Sequence, residues 1–277
     1  MDKFLYGCIY LSAAIAVSVL LMIICYVTVR GIGSVSLEFL TTVTSARKGT
    51  VGIAGNIVNT LYIIVITLVI ATPIGVGSAI YLNEYAKPGK IVRIIEFTTE
   101  TLSGIPSIIF GLFGSVFFGT TLKLGYSLLT GALTLSLLIL PLITRNTQEA
   151  LRTVPDSYRN GALGMGATKW HMIRTILLPS AIPGIITGVI LAIGRIVGES
   201  AALLFTAGSG YLLPKAGGWL SKILQPGGTL TIQLYLSSSK AEYNVAFGIA
   251  FVLLVIVLCI NFLTKYLAKR FDVTRMK

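Results

Sequence analysis

Two residues four positions apart, Arg195 and Glu199, carry opposite charges in the middle of a long apolar run. A guanidinium remains charged and presents a planar fork of N–H groups, so it can grip a tetrahedral oxyanion through two parallel hydrogen bonds. Placing a charge at the centre of a bilayer costs about 2.5 to 3.5 kcal/mol on insertion scales, so this pair demands polar surroundings. Two readings follow. In one, Arg195 and Glu199 form an i,i+4 ion pair that neutralises itself and fixes helix packing. In the other, Arg195 faces a polar path and meets an anion, while Glu199 holds it in place and keeps the empty path from being too attractive. Ser103 and Ser107 form a second candidate set. They flank Gly104 and Pro106 at an expected helix break, where hydroxyls and freed N–H groups either touch an oxyanion or serve their own helix.

Other reactive side chains point to less. Glu96 and Glu100, at the mouth of the same segment, read as solvated or structural. His171 is the single histidine and has no Ser, Cys or metal-ligand set beside it, so it reads as a loop residue. Cys8, Cys25 and Cys259 fall in apolar runs without metal-ligand spacing and read as small hydrophobes. No metal site is expected. A Gly-x4-Gly-Lys-Ser/Thr phosphate loop is absent: the cluster Gly161, Gly164, Gly166 lacks the closing lysine and hydroxyl. ATP hydrolysis by that route is therefore not expected of this chain, nor is any cofactor of its own.

The elements that must position these residues are membrane helices. With 55% hydrophobic and 12% charged residues, the chain cannot hide its apolar surface in an ordinary soluble core. The net charge of +12 is spread in short basic clusters between apolar runs, which favours juxtamembrane roles over nucleic acid. Runs of the roughly 20 residues needed to span as helix are Phe4 to Val29, Asn56 to Leu82, Thr101 to Phe118, Ser127 to Ile143, Ser180 to Ala207 and Val245 to Leu267. They show no two-residue alternation, so the expectation is an all-α integral membrane protein with six transmembrane helices. Phe4 to Val29 is too long for a signal-peptide core and lacks an Ala-x-Ala site, so it is expected to remain as an anchor.

Lys and Arg placement sets the orientation. With the N-terminus inside, fourteen basic residues lie in inside segments and seven in outside ones, as the positive-inside rule requires. Both termini and the connection Asn160 to Pro179 are then cytoplasmic. The first span and a polar external segment (1–51) stand apart from the five-span body (52–271), with a tail at 272–277. The external loop Gly208 to Asn244, rich in Gly and Pro, is expected to be turns and irregular backbone. On a helical wheel, Gly184, Gly188, Ala192, Arg195, Glu199, Ala202 and Thr206 share a face that should point into the protein. Ile186, Ile190, Ile193, Val197 and Leu204 lie opposite, toward lipid or apolar helices.

The connection itself reads NGALGMGATKWHMIRTILLP. Trp170, Met172, Ile173, Ile176 and Leu177 are expected on the apolar side of a short helix lying along the membrane. The stretch resembles the cytoplasmic loop of permease subunits of binding-protein-dependent ABC importers, whose signature is Glu-Ala-Ala, three residues, Gly, nine residues, Ile-x-Leu-Pro. Asn160, Gly161 and Ala162 stand at Glu-Ala-Ala, Gly166 at the glycine, and Ile176, Leu178 and Pro179 at the end. Asn160 keeps a hydrogen-bonding side chain but loses the charge.

A second resemblance is more specific. Gly198 to Gly208, GESAALLFTAG, together with Ser103 to Gly114 and Ile80 to Ala86, is similar to the A-type permease subunits of phosphate importers (PstA), from about Gly52 to Phe271. The resemblance implies a type I ABC importer transmembrane domain, with the loop at about 153–179 as its ATPase-coupling surface. It implies that Arg195 and Glu199 take part in moving phosphate. It also implies four kinds of partner: membrane lipid, a second, C-type permease, two ABC ATPase subunits that hold ATP and Mg, and an external phosphate-binding protein. Transport of another oxyanion (molybdate, sulfate, phosphonate) and a membrane sensor or scaffold are the alternatives.

Overall fold

The computed structural model describes residues 2–45, 50–87, 89–214 and 218–270. The expected tail at 272–277 and the basic residues Arg47, Lys48 and Lys215 lie outside the described residues. Five helices among those described are long and apolar enough to cross a membrane, and a sixth crossing is split into a bent pair. In order, α1 (Asp2–Ile32) leads to a short α2 (Leu37–Thr41), whose N-terminal cap is Ser36 Oγ accepting from the Phe39 N–H at 3.1 Å. Strands β1 (Val43–Ser45) and β2 (Thr50–Ile53) form a small antiparallel hairpin. Helix α3 (Ala54–Ile80) continues through a wide π-helical turn, Tyr81–Tyr85. Then follow α4 (Lys90–Gly104), α5 (Ser107–Gly114) with its own π-helical turn Ser115–Thr121, and α6 (Leu128–Arg152). The connection after α6 holds α7 (Asp156–Gly164). Helix α8 (Lys169–Met172) passes through the π-helical turn Ile173–Leu177 into α9 (Leu178–Gly198) without a break in direction large enough to end the span. Helices α10 (Ala201–Thr206), α11 (Leu230–Ser239) and α12 (Tyr243–Arg270) complete the chain.

Four boundaries differ from the sequence expectation. The third crossing is not one straight helix: α4 and the segment Ser107–Thr121 meet at 101°. Pro106 has no N–H to continue the helix, and a residue before proline is driven out of the helical region, as Ile105 is at φ −73°, ψ 132°. The fifth crossing begins at Lys169 rather than Ser180 and ends at Gly198 rather than Ala207. The apolar side of Trp170 to Leu177 therefore belongs to the first turns of a crossing helix, not to a helix along the surface; the helix of the connection is α7. The loop expected at 208–244 to be irregular holds two helical pieces besides its turns, a short 3-10 helix Ser221–Leu224 and the ten-residue α11.

Helix α6 is the axis of the bundle. Two-thirds (67%) of its most apolar stretch is buried, and Leu128, Leu135, Ile139 and Ile143 are among its fully enclosed side chains. Close approach explains several glycines around it. A Cβ on Gly114 of α5 would lie 2.0 Å from Thr134 Oγ1, and one on Gly188 of α9 would lie 2.8 Å from Asn146 Cβ. The small face expected on the fifth span is thus real along α9, where Gly184 and Gly188 abut Ala150 and Asn146. Helix α1, by contrast, leans mainly on α12 through Tyr26 against Phe247, edge to face at 5.6 Å, and leaves its other sides to lipid.

The loop 208–244 is pinned to the N-terminal end of α3. Asn56 Nδ2 donates to Gly228 O at 3.0 Å, Asn59 Nδ2 to Gly210 O at 3.0 Å, and the Leu230 N–H to Thr60 Oγ1 at 3.0 Å. Within the loop Lys222 is buried, its ammonium donating to Pro226 O at 3.2 Å, and loss of hydration lowers its pKa below the ordinary 10.5. Burial disfavours the charged form, so the native state binds its proton less well than the unfolded chain. This loss of stability is complete below the folded-state pKa and disappears as pH rises past 10.5.

Two outcomes follow for stability in detergent. Lys222→Met, which keeps the buried stem and removes the charge, should raise the unfolding midpoint at neutral pH, with the gain vanishing toward strongly alkaline pH; Lys222→Ala should lower it. Gly114→Val should destabilise by about 1 to 3 kcal/mol through overpacking against Thr134. Gly7→Val, where the added Cβ meets nothing within 4 Å, should leave the midpoint unchanged.

Candidate functional site

The backbone around Arg195 decides what that residue can do. Helix α9 ends at Gly198, and Glu199 is extended at φ −83°, ψ 119°. Its carboxylate turns forward: Oε1 accepts from the Ala202 N–H at 3.1 Å, satisfying one of the free N–H groups at the start of α10. Its carbonyl accepts from Thr231 Oγ1 at 3.0 Å. Arg195 and Glu199 are therefore not one helical turn apart on a common face, and they form no ion pair. Glu199 is a corner residue that joins α9, α10 and α11. Arg195, in the last turn of α9, has an exposed side chain and, among the described residues, no carboxylate within 4.0 Å.

Arg195 lines a polar cleft of about 460 Å³ between α4, α6 and α9. From α4 come Glu96, Glu100 and Ser103; from α6 come Arg145, Gln148, Glu149 and Arg152. Arg145 lies 3.7 Å from Glu100 Oε1 and 3.6 Å from Glu149 Oε1, and Arg152 lies 3.7 Å from Glu96 Oε1. These separations exceed a direct N–H···O bond, so the pairs are loose. Gln148 Nε2 is buried and has no hydrogen-bond partner. Ser103 Oγ donates to Glu100 O at 2.6 Å, serving its own helix while lining the cleft. Ser107 opens α5 on the far side of the bend and is not part of the lining. Of the four expected path residues, the structure brings Arg195 and Ser103 into one cleft and places Glu199 and Ser107 outside it.

Glu96 and Glu100, read from the sequence as solvated or structural, are exposed and also supply two of the three carboxylates of this cleft. Arg145, Glu149 and Arg152 were legible only as basic and acidic residues beside a span. Their signal was the i, i+4, i+7 spacing on α6, which repeats as Glu96, Glu100, Ser103 on α4 and places each set on one stripe. Among the described residues, no group of three or more His, Cys, Asp or Glu is placed to hold a metal ion.

The connection between α6 and α9 is built as a rigid piece. Ala162 is buried with Leu151, Val154, Met172, Ile173 and Leu177 in a small core of its own. Gly166 takes φ +83°, a conformation strained for any side chain, and so closes the turn between α7 and α8. Thr168 Oγ caps α8 by accepting from the His171 N–H at 3.3 Å. Ile176, Leu178 and Pro179 are half-buried in the root of the fifth crossing, and Asn160 and Gly161 are exposed on α7. Arg159, which sequence reasoning counted only as a basic residue, is the hub: it pairs with Glu84 at 3.0 Å and Asp156 at 3.1 Å and donates to Val154 O and Leu151 O. Glu84 belongs to the wide turn that ends α3, so α7 is tied to two crossings at once. Outward, Tyr158, Leu163, Met165 and Trp170 are large apolar side chains left exposed on the connection.

This architecture has relatives. Residues 71–273 match the family described as binding-protein-dependent transport system inner membrane component. The probable ABC transporter permease protein YqgI of Bacillus subtilis is 42% identical over 207 residues, covering 75% of this chain and 70% of that protein. The phosphate transport system permease protein PstA of Haemophilus influenzae is 32% identical over 267 residues, covering 95% and 92%. Among solved structures, a bacterial alginate ABC transporter in complex with its alginate-bound periplasmic protein superposes with a TM-score of 0.72 over 98% of this chain and 96% of that one, at 14% identity. A chain of the MetNI methionine ABC transporter gives 0.60 over 79% and 94%, at 22% identity. The bent third crossing and the rigid connection after α6 thus sit in a fold shared with ABC importer membrane domains, and the chain belongs to the binding-protein-dependent transport system inner membrane component family.

Proposed function

We propose that this chain is the A-type permease subunit of an ATP-driven importer that carries inorganic phosphate across the plasma membrane. The observation that carries the substrate is Arg195: a guanidinium with no carboxylate within 4.0 Å among the described residues, at the wall of a cleft that also holds Arg145 and Arg152. Such a group suits a tetrahedral oxyanion held through paired hydrogen bonds. Several relatives with phosphate transport names, the Haemophilus influenzae protein among them, support phosphate among the oxyanions.

The cleft is open on one side, which fits a path completed by a second, C-type permease facing this one. ATP and Mg would be held by two separate ATPase subunits, and an external phosphate-binding protein would deliver the substrate. The exposed apolar side chains of the connection, Tyr158, Leu163, Met165 and Trp170, are proposed to meet an ATPase subunit. The positive-inside distribution supports cytoplasmic placement of that connection and of both termini.

Labelled phosphate uptake by vesicles carrying the full complex tests the path. Arg195→Gln should lower uptake about ten- to a hundredfold, the equivalent of one or two charge-assisted hydrogen bonds, with the complex still assembled. Uptake at the wild-type rate would remove Arg195 from the path. Coupling is tested by Arg159→Ala, which frees α7 from Glu84. ATP hydrolysis should persist while phosphate moved per ATP falls severalfold; an unchanged ratio would show that the Arg159 contacts do not transmit closure.

A further inference from the structure

The cleft contains as many carboxylates as guanidiniums: Glu96, Glu100 and Glu149 against Arg145, Arg152 and Arg195. A site made only to attract an anion gains nothing from carboxylates, since like charges at close range repel. Their presence makes sense if the anion brings a proton of its own. Phosphate near neutral pH carries at least one P–OH, whereas sulfate and molybdate carry none. An ionised carboxylate is purely an acceptor, so it can receive that O–H and can only repel an oxyanion without one.

We propose that Glu100 accepts a hydrogen bond from the P–OH of the transported anion and thereby selects phosphate over fully deprotonated oxyanions. This rests on the reading of Arg195 as a phosphate-path residue. Glu100 is favoured over the other two by position. Glu149 shares α6 with Arg145 and pairs with it in the i,i+4 manner, and Glu96 pairs with Arg152. Glu100 reaches across from α4, on the opposite wall, and shares Arg145 with Glu149, whereas Glu96 has Arg152 to itself among the described residues; one shared guanidinium at 3.7 Å leaves the lone pairs of Glu100 unsaturated. Ser103, one turn further along α4, lines the same cleft. An anion held by Arg195 between α4 and α6 thus shares the cleft with the guanidiniums of Arg145 and Arg152 and with an acceptor, Glu100, on α4. No covalent step is involved: the proton stays on phosphate and is only shared.

The test is competition on the complete complex in nanodiscs, without the external binding protein, so that selectivity measured there belongs to the membrane part. Labelled inorganic phosphate is displaced by unlabelled phosphate or by unlabelled sulfate. For the wild type, sulfate should need at least about tenfold higher concentration than phosphate. Glu100→Gln, which removes the repulsion and can donate to sulfate through its amide, should shrink that gap about tenfold, while Glu100→Asp, which keeps an acceptor, should preserve most of it. A purely structural role as partner of Arg145 would change phosphate affinity without changing the ratio. A wild-type gap retained in Glu100→Gln, or equal displacement by both anions in the wild type, would overturn the proposal. Arg195→Gln run alongside separates the two levels. Phosphate binding retained there would overturn the path reading itself, and binding lost there with an unchanged ratio in Glu100→Gln would overturn only the role of Glu100.

Discussion

Within a bilayer a guanidinium can neither shed its proton nor remain unsolvated, and among the described residues Arg195 has no carboxylate close enough to neutralise it. Much of the surrounding architecture answers that constraint. Helix α9 stops one turn beyond Arg195, so the residue sits where the helix carbonyl ends collect partial negative charge. Glu199, which sequence spacing offers as the partner, is committed to the start of α10 and to Thr231. The polar surroundings come instead from α4 and α6, whose stripes of Arg, Glu, Gln and Ser form the cleft. The bend at Ile105 and Pro106 lets α4 lean onto the end of α6 there while α5 packs against α10 and the first half of α6.

Helix α6 ties this cleft to the connection that follows it. Its apolar side anchors the core; its last two turns carry Arg145, Glu149 and Arg152 and lead into Val154 and Pro155, then α7. The small core of Leu151, Val154, Ala162, Met172, Ile173 and Leu177 welds the ends of α6 and the fifth crossing to α7. A push on α7 is therefore a push on both helices that line the cleft. Coupling of two sites requires an element whose arrangement both sites bias, and the α6 to α9 unit is contiguous with each.

The sequence revealed the crossings because long apolar runs report lipid or core directly, whatever the tertiary arrangement. It revealed the connection because Gly166 must be glycine for a backbone at φ +83° and because polar residues between two spans must have a use. It failed at Glu199 because apolar continuity was taken as helical continuity. The Gly198-Glu199 step held the contrary signal, a glycine followed by a side chain able to accept from the next free N–H groups. It failed at the cleft for a different reason. Glu96 and Glu100 meet Arg152 and Arg145 across helices far apart in sequence, and no local periodicity states which stripe faces which.

The ion pairs divide into two kinds, and the division matches what each region must do. Arg159 and Glu84 are largely buried and in direct contact at 3.0 Å, reinforced by two backbone carbonyls on the same guanidinium. Breaking a pair of this kind leaves an unpaired buried charge and is costly, so the joint between α7 and α3 moves as a unit. The pairs of Arg145 and Arg152 are exposed and stand at 3.6 to 3.7 Å, the regime in which ion pairs contribute about 0 to 1 kcal/mol. An incoming anion can exchange with such carboxylates at little cost and can be exchanged out again. Tight pairing at the joint and loose pairing in the cleft are what an importer needs, since force must be transmitted through one and the cargo must be released from the other.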